Sequence, residues 1–117
     1  MPAAVVQRFV DAANARDADA MAALVATDAV FARFPDGRVL ATGRDSVRAM
    51  YARMLPPLPP EFHIDVRPRI VEGRLVVDKE HFTGMPGGRD QATWLYEVAG
   101  GLIRRAWRLD GRSPVGR

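Results

Sequence analysis

The chain is 117 residues long and 48 % hydrophobic, which suits one domain around one core and leaves little for a second. It has no cysteine, so disulfides, thiolate nucleophiles and cysteine-ligated zinc or iron-sulfur sites are excluded. Its 17 basic and 14 acidic side chains give a net charge of +3, with Lys79 the one lysine, and no apolar run approaches the ~18 residues a bilayer requires. The opening residues lack the basic stretch and apolar run of a secretion signal, so the expected address is the cytoplasm.

In chain order, Val5, Val6, Phe9, Val10 and Ala13 form one helical stripe over residues 3–15. Asp17 then suits the N-cap of a short second helix whose face is Met21, Leu24 and Val25, before Thr27 and Asp28 break the pattern. Residues 29–34 read as a strand, Pro35-Asp36-Gly37 as a turn, and residues 38–42 as its return. After Gly43, the spacing of Val47, Met50, Tyr51 and Met54 predicts a third helix, which must end before Pro56. Pro56-Pro57-Leu58-Pro59-Pro60 reads as a stiff extended connector.

Beyond it the period becomes two. Phe62, Ile64 and Val66 alternate with polar residues, Glu72-Gly73 turns the chain into a strand over 75–83, and strands over 93–98 and 102–109 follow, separated by Gly100-Gly101. Residues 1–110 are thus expected as one domain and residues 111–117 as a flexible tail. Helices first and an antiparallel meander last imply an α+β fold in which a twisted, curved sheet wraps round three helices as a cone open at one end. A nucleic-acid partner is not expected, because Arg8, Arg16, Arg33, Arg48, Arg74 and Arg104 are interspersed with acids rather than gathered with stacking aromatics.

Several segments resemble one family. Val5–Val10 followed by Ala13-Asn14-Ala15-Arg16-Asp17, the Gly43–Tyr51 stretch, Val76–Gly84 and Tyr96–Ile103 are similar to the ketosteroid isomerase and polyketide cyclase-related branch of the nuclear transport factor 2-like superfamily. The resemblance spans residues 3–109 and implies a roll with one pocket for a small apolar molecule, and a homodimer formed through the outer sheet face. Steroid isomerisation needs a carboxylate base and two acidic donors. The resemblance sets these at Phe9, near Phe34 and near Trp94, where no side chain can supply the proton chemistry, although a shift of one or two residues brings Arg33 or Asp36 to the base position. Phe9 and Phe34 are therefore expected as apolar walls.

Strand alternation puts Asp78 and Glu80 on one face, and the resemblance turns that face, with Trp94, Tyr96, Arg105 and Trp107, toward the pocket. Two carboxylates beside Arg105 could form an acid-base set, the cation holding one ionised while apolar walls raise the pKa of the other. Equally, Asp78 or Glu80 could simply neutralise Arg105, or the charges could belong to a paired surface at a dimer contact. Trp94, Tyr96 and Trp107 suit a stacking wall or plain core packing, and Tyr51 could present its hydroxyl to the pocket. His63, with Asp65 two residues on, and His81 are too few and too separated for a metal set, so neither metal nor cofactor is expected, though His63 could act as an acid or base. Two readings remain: a cofactor-free isomerase, cyclase or hydrolase, or a non-catalytic ligand-binding or dimeric assembly module.

Overall fold

The apolar stripe of the first helix is buried as its period requires, with Val5, Val6, Phe9, Val10, Ala12 and Ala13 turned inward from α1 (Pro2–Asn14). A computed structural model describes residues 1–111 and continues with α2 (Ala18–Ala22), β1 (Val25–Phe34), β2 (Val39–Thr42), α3 (Arg44–Met54), β3 (His63–Glu72), β4 (Leu75–Thr83), β5 (Gln91–Ala99) and β6 (Leu102–Leu109). Asp17 caps α2, its carboxylate accepting from the Ala20 N–H at 3.0 Å. The tail expected from residue 111 lies, from 112 onward, outside the described residues. Among the described residues no helix is long and apolar enough to cross a membrane.

All six strands share one sheet in the order β2-β1-β6-β5-β4-β3. Strands β3 to β6 form the expected antiparallel meander. One pairing departs from expectation: β1 runs parallel to β6, so the sheet is mixed. Parallel neighbours need a long connection, and α3 with the whole meander supplies it. Pairing with β6 also draws β1 back to Val25, four residues earlier than the pattern suggested; Leu24 closes the join by accepting from the Ile103 N–H at 2.8 Å.

The proline segment is not an extended rod. It folds into two turns, with Leu58 N–H donating to Leu55 O at 3.1 Å and Phe62 N–H to Pro59 O at 3.0 Å. Arg16 secures it, donating to Pro59 O and Phe62 O at 3.0 Å each while its guanidinium lies 5.2 Å from the Phe62 ring centre. Asn14 similarly clamps the end of α1 to β3, exchanging hydrogen bonds of 3.0 and 2.8 Å with Ile64 O and N–H. Gly84, at φ 72°, lets the β4 exit pass so close to this segment that a Cβ would sit 2.6 Å from the Glu61 carbonyl. These ties hold the open end of the roll.

Register defines what each face carries. One rung across the sheet reads Arg33, Arg108, Trp94, Asp78, Arg69; the next reads Ala32, Trp107, Leu95, Val77, Ile70; the third reads Phe31, Ala106, Tyr96, Val76, Val71. Alternation sends the first and third toward the helices and the second away. Phe31, Tyr96, Val76 and Ala106 make the centre of the core with Phe9, Val47 and Ile103.

Candidate functional site

Asp78 and Glu80, two residues apart on β4, both face the helices, and both are buried, at 0 % and 6 % exposure. Buried carboxylates must be paired or protonated. Asp78 takes the first course: Arg69 donates to both its oxygens, Nε to Oδ1 at 2.7 Å and Nη2 to Oδ2 at 2.9 Å. The remaining Arg69 Nη1 donates to Gln7 Oε1 at 2.9 Å, and Gln7 Nε2 in turn donates to Asp11 at 2.8 Å, so α1 completes the chain. A break in register between Val66 and Arg69, around Pro68, brings Arg69 opposite Asp78.

Glu80 takes the second course. Among the described residues its carboxyl makes no hydrogen bond or ion pair. Burial pushes its pKa up from the ordinary 4.5 to about 8; the Asp78 charge adds to the rise and Arg69 opposes it. At neutral pH Glu80 therefore holds a proton.

Glu80 opens onto a cavity of about 140 Å³. Phe9, Tyr51, Trp94 and Tyr96 form its inner wall, Phe62, Ile64 and Phe82 a side, and Met54, Leu58, Met85 and Arg89 other parts of the lining; Arg108 also faces it. The rings are mutually braced: Trp94 stacks on Tyr96 at 5.9 Å and 15°, and Phe9 meets Tyr51 edge-on at 5.7 Å. Burial, with the Glu80 charge next in order, raises both tyrosine pKa values above the ordinary 10, so each hydroxyl stays a donor. The cavity thus offers three proton-bearing groups against apolar walls.

Of the residues singled out in the sequence, Asp78 lies behind the cavity wall, and Glu80, Phe9, Tyr51, Trp94 and Tyr96 meet around the hollow. Three do not. Phe34 is 56 % exposed at the end of β1. Arg105 and Trp107 face the opposite side of the sheet, where they line an outer groove with Val30, Glu97 and Arg104. The cause is a bulge between Glu97 and Val98. Near the Gly100-Gly101 turn, Ala99 pairs with Leu102 and Val98 with Ile103; past the bulge Tyr96 pairs with Ala106 and Trp94 with Arg108. An uninterrupted hairpin would have set Arg105 and Trp107 beside Tyr96 and Trp94, and a one-residue slip reverses every side chain beyond it. Arg105 accordingly pairs with Glu97 at 3.7 Å, and the partner of Asp78 is Arg69.

Sequence reasoning missed Arg69, Arg108 and Gln7. Pro68 inside a strand was the available signal for Arg69, since proline there marks an irregularity; Arg108 needed the bulge. His63 is exposed, and His81 Nε2 lies 2.8 Å from Arg67 O. Among the described residues no three histidine or acidic side chains gather as a metal set.

The fold has many counterparts among solved structures. A cystatin-fold protein from Novosphingobium aromaticivorans matches with a TM-score of 0.80 at 21 % identity, covering 93 % of this chain and 97 % of the other. A candidate polyketide cyclase from Sinorhizobium meliloti matches at 0.74 and 19 %, covering 89 % and 92 %. An LEH-like epoxide hydrolase from M. tuberculosis matches at 0.72 and 18 %, covering 90 % and 78 %. Among curated proteins none matches this chain. The SnoaL-like domain profile matches residues 6–106, in keeping with the nuclear transport factor 2-like resemblance and the curved sheet it implies. The chain belongs to the SnoaL-like domain family.

Proposed function

We propose that the cavity binds a small apolar molecule and moves a proton on it without a cofactor, Glu80 being the group that gives and takes that proton. The observation that carries this reading is a carboxyl buried among aromatic rings with its pKa at about 8. A structural acid would be expected to have a partner, as Asp78 has. Glu80 can donate to a carbonyl or epoxide oxygen, and the carboxylate left behind can recover a proton from carbon. Tyr51 and Tyr96 supply donors for charge developing on that oxygen. Solved proteins of this fold include a candidate polyketide cyclase and an epoxide hydrolase, so proton-transfer chemistry is at home on the scaffold.

Size narrows the ligand. A cavity of about 140 Å³ is close to the ~150 Å³ apolar hollow that admits benzene and below the ~300–1,000 Å³ of drug-sized sites, so a single ring fits and a steroid does not. Cyclohexenone in D₂O, with exchange at its carbon positions followed by NMR, tests the reading. Catalysed exchange is expected from the wild type, falling at least ~100-fold in Glu80→Gln. Equal exchange in both proteins would remove Glu80 from the chemistry.

The outward rung of Ala32, Trp107, Leu95, Val77 and Ile70 runs across five strands with Ile70 56 % exposed, and the paired charges of Glu97, Arg74 and Arg105 lie along one side of it. This apolar row flanked by paired charges supports a second copy of the chain meeting that face. Light scattering should give a dimer at micromolar concentration; a monomer contradicts it.

A further inference from the structure

Arg108 is the one inward side chain of its rung that the described residues leave unexplained. Arg69 on that rung is matched by Asp78, and Arg33 by Asp36. Arg108 lies directly opposite Arg33 on β1 and opposite Trp94 on β5. Like charges opposed across strands repel, and a half-buried guanidinium held against apolar walls loses hydration that no ion pair among the described residues returns. Yet none of the ion pairs among the described residues includes Arg108, while Asp110 acts on Arg33 and Asp36. Arg108 nevertheless faces the cavity, and Arg89 lines the same hollow. Tyr51, which also lines it, is within the electrostatic reach of both Glu80 and Arg108.

We propose that the ligand of this cavity carries a carboxylate on a single apolar ring, the carboxylate pairing with Arg108 while the ring lies against Trp94, Tyr96 and Phe9 and reaches Glu80. The inference rests on the cavity being a ligand site, but it does not require that Glu80 turn the ligand over. Guanidinium suits the task because its planar fork meets both carboxylate oxygens at once. The charge count agrees: at neutral pH the hollow presents arginines at its lining and a protonated Glu80 inside, a balance that favours an anion.

Benzoate and benzamide separate charge from shape, since the two differ little in size and only one is an anion. Calorimetric titration of the wild type at pH 7 is expected to show benzoate binding at least ~10-fold more tightly, the order of one charge-assisted pair. Arg108→Met should erase the preference and leave benzamide binding within about twofold, while Arg108→Lys should retain part of it. Arg105→Met, on the outer face, should change neither. Equal affinity of the two probes for the wild type, or a preference that survives Arg108→Met, would overturn the proposal; so would no binding of either probe at millimolar concentration, which would count against the ligand cavity as well. Glu80→Gln should keep the benzoate preference even where proton exchange is lost. Failure of the exchange test with the preference intact would therefore sink the proton-transfer reading and leave the anion site standing.

Discussion

The two faces of one sheet show how much depends on which way a strand turns its side chains. The outward charges around Trp107 and Leu95 pair across 3.7 Å with Arg74 and Arg105 largely exposed, in a setting where water screens them. The inward charges are two carboxylates on β4 shut away from water, one locked to Arg69 and the other left to hold a proton. The same residue types therefore give weak surface pairs on one side and a structural pair beside a titrating group on the other. Burial makes the difference, and bulges in β3 and at Glu97/Val98 decide which residues receive it.

The strongest way to break this contrast is to remove one partner of the buried pair. Asp78→Asn leaves Arg69 uncompensated and should cost about 3–5 kcal/mol in urea denaturation, whereas Asp78→Leu combined with Arg69→Met should recover most of the loss. If Asp78→Asn costs no more than a surface pair, the inward rung is not a dry environment. In the same variant Glu80 loses the charge that helps raise its pKa, so any pH profile governed by Glu80 should move to lower pH.

Glu80→Gln comes next. In the folded chain Glu80 titrates at about 8 and in the unfolded chain near the ordinary 4.5, so between those values the folded state holds a proton that the unfolded state has released. Stability should fall as pH rises across that window, by up to about 1.4 kcal/mol per unit, and level off above it. Glutamine should flatten the slope and stabilise the fold by roughly 5 kcal/mol at pH 8.5. A wild-type slope unchanged by the substitution would contradict the assignment. At the small end, Glu97→Gln on the outer face should shift stability by about 0.5 kcal/mol or less, read in the same urea experiment.

Much of the fold was legible because its signals are local. The stripe from Val5 to Ala13, the cap at Asp17, and the Glu72-Gly73 and Gly100-Gly101 turns each fix an element within a few residues. The parallel partnership of β1 and β6 was not, since it joins Val25 to Ile103 and no short-range pattern reports on it. The proline segment misled because its composition favours an extended rod, while Arg16, distant in sequence, holds it in turns. The site divided in the same way. Asp78, Glu80, Trp94 and Tyr96 follow from simple alternation, and alternation is the rule that fails for Arg105 and Trp107 once one extra residue, Arg104, enters β6.

The proposed proton transfer turns on the protonation of one carboxyl, and a site-resolved titration reads it directly. With glutamate side-chain carbons labelled, the Glu80 carboxyl signal, assigned by its loss in Glu80→Gln, should follow a midpoint of about 8. A midpoint near 4.5, the value of a solvated glutamate, would show Glu80 ionised and hydrated at neutral pH and would contradict the proposed proton transfer.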